Sequence, residues 1–265
     1  MSRRRQKKNK QNAIGISLLL VVLIAFGAGA YVYFSKVSAK IVLDKETNCP
    51  VKGVYKRTAI LIDTTDSLSR DQSFYLKKKL DEIVETAELY QRFDIYYLNA
   101  SSEELAAAIS VCNPGDGGDK STLDSNPRRL KERWRERFFD KVAALFNDLE
   151  NVPTAEQSPI IEGMKYVSID AFVSSKASSK ELIVVSDLLQ HSPLFSHYRS
   201  SFSENEVSSN ANLKSSLPYL DGVSVKFMYV VRPAYRQLQT NKHMVFWENL
   251  VRQSHGVVED VEMVK

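Results

Sequence analysis

Beyond residue 55, apolar and polar positions switch repeatedly between two periods. Thr58-Ala-Ile-Leu-Ile62 is a short apolar run that ends at Asp63, the pattern of a strand buried on both faces. Leu76, Leu80, Ile83 and Ala87 then recur at helical spacing. Ser69 and Gln72 have the spacing of a capping box at that helix's start. Arg92 to Leu98, rich in Tyr and Ile, predicts a second strand, and residues 106–112 a third, with a short helix over 102–109 as the alternative. Asn113-Pro-Gly-Asp-Gly-Gly118 is a turn cluster. The periodicity predicts a long helix from Pro127 to Asn151, with Leu130, Trp134, Phe138, Val142, Leu145 and Leu149 as its buried stripe. Pro159 to Phe172 predicts another helix, with Pro in its first turn. Glu181-Leu-Ile-Val-Val-Ser-Asp187 is the strongest strand signal in the chain. Residues 191–221 are polar, rich in Ser and Asn, and read as an irregular loop, with a short helix within it as the alternative. Val223 to Val231 follows as a strand, Asn241 to Ser254 as a helix and Val257 to Val264 as a final strand. Apolar strands alternating with helices imply an α/β fold, a doubly wound and mostly parallel sheet covered on both faces.

The region before residue 55 follows another pattern. From Ala13 to Ser35 no side chain is charged, and Ile16 to Phe26 is almost entirely Leu, Val and Ile. About 20 apolar residues span a bilayer as a helix, so 13–35 is expected to be a transmembrane helix. Residues 1–12 form a basic tail, 36–54 a linker and 55–265 a single domain. Arg3, Arg4, Arg5, Lys7, Lys8 and Lys10 precede the apolar run. That bias places the N-terminus in the cytoplasm and the domain across the membrane, the layout of a protein of the bacterial inner membrane. A cleaved signal peptide ending near Val37-Ser38-Ala39 is the alternative.

Charge changes its meaning once the tail is set apart. The chain of 265 residues carries a net +4, which would fit a nucleic-acid-binding protein. Six of its 36 basic residues lie in the tail, and the other 30 face 32 acidic residues. The domain is therefore slightly acidic, and no nucleic-acid partner is expected. Arg133, Arg137 and Lys141 alternate with Glu132, Glu136 and Asp140, as on a solvated helix face. Ten Gly, eight Pro and two Cys exclude collagen-like and disulfide-dense classes.

The candidate chemistry lies where ligands bind in open α/β sheets, beyond the carboxyl ends of the strands. Asp63-Thr64-Thr65-Asp66-Ser67 follows the first strand, and Asp187 ends the strongest one. Carboxylates and hydroxyls without Cys or His suit a hard cation such as Mg²⁺. Asp63-x-Thr65-x-Ser67 resembles the D-x-S-x-S signature that opens the metal-ion-dependent adhesion site of von Willebrand factor type A domains. The order of elements over residues 55–265 is similar to that family's. Ser158-Pro159-Ile160 stands where the family carries a Thr, and Val184-Val185-Ser186-Asp187 where it carries a hydrophobic-Thr-Asp-Gly run. Thr65 and Ser158 keep a hydroxyl, whereas Leu188 replaces the Gly; Thr154 lies in the same loop as Ser158.

The resemblance implies binding rather than bond-making. Asp63, Thr65, Ser67, Ser158 and Asp187 would hold Mg²⁺ or Mn²⁺, and a protein partner would offer a carboxylate to the open coordination position. The loop 64–69 and the segment 191–221 would form the rim. A metal-dependent hydrolase using the same carboxylates and a scaffold with a degenerate site are the alternatives. The haloacid dehalogenase pattern needs an acid at position 65, which is Thr. In the topology that the resemblance implies, the third strand runs antiparallel and brings Cys112 to the pole where the first begins. Cys49 can reach that pole, so a Cys49–Cys112 disulfide is expected across the membrane, with two free buried thiols as the alternative.

Overall fold

The computed structural model describes residues 3–38, 41–100, 105–118, 126–147, 149–199, 202–203 and 206–265. The side chains of 3–14, 32 and 35–38 lie outside what is described, and with them the charges of the basic tail and most of the candidate cleavage site. The chain divides into two units, Met1–Val42 and Leu43–Lys265.

The first unit is one helix, α1 (Arg3–Ser38). Its described apolar side chains, among them Leu19, Leu23, Ile24 and Phe26, are exposed. Residues 13–35, the expected membrane-spanning segment, lie within α1, and among the described residues no helix is long and apolar enough to cross a membrane.

The second unit is built on a six-stranded sheet. Its strands are β1 (Lys56–Asp63), β2 (Arg92–Leu98), β3 (Ala107–Cys112), β4 (Ser179–Ser186), β5 (Val223–Val230) and β6 (Val257–Val264). Their spatial order is β3-β2-β1-β4-β5-β6. All neighbours are parallel except β2 and β3. The expected α/β sheet with one antiparallel edge strand is therefore present. From β1 the chain moves outward to β2, and from β4 it moves the opposite way to β5. The carboxyl ends of β1 and β4 thus flank the switch point, where the loops diverge and leave a crevice.

Successive side chains of a strand point to opposite faces, and β1 divides its residues accordingly. Ala59 and Leu61 belong to one core with Met164, Val167, Phe246 and Trp247, from α5 (Ile160–Ser168) and α8 (Asn241–Gln253). Ile60 and Ile62 belong to the other, with Leu76, Leu80 and Val84 of α2 (Arg70–Glu85) and with Trp134 and Phe138. Helix α2 begins with the capping box expected of Ser69 and Gln72, both bonds being formed. Gly163 lets α5 lie close on the sheet, since a Cβ there would stand 2.7 Å from Leu98 Cδ1.

The long helix predicted over 127–151 is interrupted. It consists of α3 (Pro127–Trp134), a π-helical stretch Arg135–Phe139 and α4 (Asp140–Ala144). A π turn inserts one residue into the helical repeat. Phe139 joins the buried face as a result, and beyond it the stripe passes through Phe146 instead of Leu145. A second π stretch, Ile169–Val173, follows α5. The third strand forms from Ala107, which excludes a helix through 107–109, and residues 101–104 lie outside the described residues. Among the described residues of 191–221 there are two short helices, α6 (Glu206–Ser209) and α7 (Ala211–Ser215).

Residues 43–54, expected to be linker, belong to the second unit. Cys49 and Cys112 form a disulfide, and the Cys112 N–H donates to the Thr47 carbonyl at 2.8 Å. At the same end of the sheet, fully buried Asp94 accepts from Arg57, Arg92 and Ser110. Arg92 and Arg57 hold its carboxyl below the usual carboxylate range against the opposing effect of burial. The opposite edge strand, β6, carries Glu259 and Asp260 exposed, while Glu262 pairs with Lys79 of α2 at 3.0 Å.

Candidate functional site

Asp63 is the last residue of β1, and its carboxylate is the hub of the crevice. Oδ1 accepts from the Thr65 hydroxyl at 2.6 Å and from the Thr65 N–H at 3.0 Å. Oδ2 accepts from the Ser186 hydroxyl at 2.6 Å and from the Ser158 hydroxyl at 3.2 Å. One carboxylate thus ties together the β1 loop, the end of β4 and the entry to α5. Ser158 is held in place by paired backbone bonds with His191, 2.8 and 2.9 Å long. Thr154 instead lies near Asp66.

Asp187 follows β4 and is buried. Its Oδ1 accepts from the Leu189 N–H at 2.9 Å. Its Oδ2 accepts from Arg232 Nε at 3.0 Å. Burial pushes the Asp187 carboxyl up to about 6; the nearby Asp63 charge adds to the rise, and Arg232 opposes it. Burial also raises Asp66, helped by Asp63 and opposed by Arg232.

Leu188, which departs from the family's Gly, takes the backbone geometry that a Gly would supply. Its φ is +59°, the left-handed region that costs an L-residue roughly 1–2 kcal/mol. The surroundings hold it there. Its side chain is fully buried, and its carbonyl accepts from His243 Nε2 at 2.9 Å and Trp247 Nε1 at 3.0 Å. His243 Nε2 faces that carbonyl and so carries the ring proton, which leaves Nδ1 of the neutral ring to accept from the Tyr229 hydroxyl at 2.8 Å. Helix α8 and β5 therefore fix the turn that aims Asp187.

Arg232 lies beyond β5 and was not among the residues expected at the site. Besides Asp187, its guanidinium donates to the Ser67 carbonyl at 2.6 Å and the Asp66 carbonyl at 3.4 Å. Its own N–H donates to Gln239 Oε1 at 2.7 Å, and the Gln239 amide bonds the Asp187 and Val230 carbonyls. The sequence signal was available: an Arg directly beyond an apolar strand stands at the same sheet edge as Asp63 and Asp187. A search for oxygen ligands passes over it. The rim is aromatic. Tyr198 stands edge-on to His191 and to Tyr235, at 5.4 Å in both cases, and Tyr198 and Tyr235 are partly exposed. Burial, followed by the charge of Asp187, pushes the Tyr198 hydroxyl up.

The five expected ligands meet unequally. Asp63, Thr65 and Ser158 are hydrogen-bonded together, and Asp187 lies close enough to feel the charge of Asp63. Ser67 is exposed and turns its carbonyl toward Arg232. By type the donors suit Mg²⁺. As arranged they do not fit it, because a guanidinium already neutralises the Asp187 oxygen that a cation would need. Among the described residues, no group of three or more His, Cys, Asp and Glu could hold a metal ion.

No family model matches the chain, and no curated protein matches it. Solved structures with a similar chain path include an aerotolerance-related membrane protein from Bacteroides fragilis. It is 10% identical with a TM-score of 0.37, over 79% of this chain and 92% of that one. BatB from Bacteroides thetaiotaomicron is 12% identical with a TM-score of 0.39, over 78% and 91%. The SpRpn10 VWA domain is 9% identical with a TM-score of 0.37, over 80% and 88%. At such identities no site residue carries over from them.

Proposed function

We propose that this chain is a von Willebrand type A-like protein-interaction module, attached to the bacterial inner membrane through residues 13–35, with its domain on the extracytoplasmic side. Its recognition face is the crevice at the carboxyl ends of β1 and β4. The observation that carries this reading is the convergence of Asp63, Thr65, Ser158, Asp187 and Arg232 at the switch point of the sheet. A cation there, bordered by partly exposed Tyr198 and Tyr235, suits a carboxylate on a protein partner. Binding is favoured over hydrolysis because both carboxylates are held by donors: Asp63 by three hydroxyls and Asp187 by an arginine. In the form that the resemblance implies, the cation is Mg²⁺ or Mn²⁺, held by Asp63, Thr65, Ser67, Ser158 and Asp187. That form requires Asp187 to be released from Arg232.

The test is capture of partners from membranes by the full chain, with wild type and Asp63→Ala compared in Mg²⁺ and in chelator. Proteins retained by wild type and lost with Asp63→Ala support the recognition face. Identical retention by both refutes it. Loss in chelator assigns the cation as a metal, and retention assigns it to the protein.

A further inference from the structure

We infer that the cation of this site is Arg232 itself, and that Arg232 and a divalent ion exclude one another. The inference rests on the proposed recognition face and names the group that would receive a partner's carboxylate.

Three observations carry it. First, Arg232 contacts the site at three points, namely the carboxylate of Asp187 and the carbonyls of Ser67 and Asp66. Carboxylate and carbonyl oxygens are also the donors a hard cation recruits, so the guanidinium uses oxygens of the kind an ion would need. Second, Arg232 is braced. Gln239 accepts from its backbone N–H, and Gln72 of α2 donates to the carbonyl of the preceding Val231 at 2.8 Å. Only about a fifth of its side chain is exposed. Third, the charges need a partner. The Asp63 carboxylate is held by neutral hydroxyls, and Arg232 is the cation that pairs with Asp187, at 3.0 Å.

A divalent ion at Asp187 would meet the guanidinium at close range, and like charges there repel strongly. Either the ion stays out or Arg232 swings away. Arg carries five N–H donors in a fixed fork. With three contacts made inward, donors remain for a carboxylate arriving from outside. The site can therefore hold an acidic group without a metal.

The test uses the full chain in detergent and Mn²⁺ as probe, read from loss of the free-ion electron paramagnetic resonance signal. Arg232→Gln is expected to bind Mn²⁺ about tenfold tighter than wild type or more, corresponding to a site that Arg232 holds at least about nine-tenths of the time. In chelator, Arg232→Gln is expected to melt below wild type, and Mn²⁺ to restore it while leaving wild type unmoved. Equal affinity in the two proteins, weaker binding by the variant, or no uptake by either overturns the inference. If Arg232→Gln does not fold, Arg232→Met replaces it. Its side chain keeps the apolar stem but carries no charge to repel the ion, so its Mn²⁺ affinity must exceed that of wild type. The partner-capture experiment is independent: failure to retain any partner would refute the recognition face and leave the Mn²⁺ result standing.

Discussion

Acid should loosen the turn that carries Asp187 through the histidine behind it. Burial lowers the His243 ring from its ordinary 6.5 to about 4, and the hydrogen bond to Leu188 only partly opposes this. Its neutral form is therefore the folded form. The stability this confers is fully present above pH 6.5, where the unfolded chain also carries a neutral ring. It is lost as pH falls from 6.5 toward 4, because the unfolded chain takes up the proton first. From these two values the loss is about 2 kcal/mol at pH 5 and about 3 kcal/mol below pH 4. His197 acts in the same sense. It is fully buried with both ring nitrogens unpartnered among the described residues, and burial and His243 push it well below its ordinary value. Many carboxylates titrate in the same range, so the measurement is a difference. Urea unfolding of wild type and of His243→Gln, which keeps a donor for Leu188 and an acceptor for Tyr229, is compared at pH 7 and pH 5. The stability advantage of wild type should shrink by about 2 kcal/mol. An advantage that stays constant within about 0.5 kcal/mol would refute the placement of a neutral His243 in the core.

Other expectations are simpler. The Cys49–Cys112 bond closes a loop with a sequence separation of 63. Replacing both residues by Ser should cost about 4 kcal/mol on chain-entropy grounds, read by urea midpoint, and titration of denatured, unreduced protein should find no thiol. Gly163→Ala forces a Cβ against Leu98 and should cost about 1–3 kcal/mol, measured by thermal melting. Asp94→Asn leaves Arg57 and Arg92 without their buried counter-charge and should cost about 3–5 kcal/mol, read in the same melts. His197→Phe removes two unpartnered nitrogens from an aromatic cage and should raise the melting temperature at pH 7.

Legibility differed from element to element for physical reasons. The apolar run of β4 and the Ser69–Gln72 cap are local signals, and the structure follows them. The end of the long helix was not legible, because the π turn at Arg135–Phe139 answers to packing: it brings Phe139 beside Trp134, with ring centroids 5.2 Å apart. Nothing local shows that Leu188 adopts a positive φ, since two donors from α8 impose it. The acidic part of the site was visible in Asp63 and Asp187, as each ends a strand. Arg232 was not, because its role depends on where the loop after β5 returns across the crevice. The segment 43–54 seemed a tether because it lacks periodicity, and the crosslink joins it to the sheet instead.

The two edges of the sheet have a consequence for how molecules of this kind can crowd together. A partner that docked by adding a strand would need an open, uncharged edge. On β6 it would meet Glu259 and Asp260, and a second copy in register would set acid against acid. The end of β3 is already hydrogen-bonded by Thr47. Edge-to-edge stacking into fibres is thus discouraged on both sides. Many copies gathered on one surface can remain separate, with the loops at the strand tips left as their means of grip.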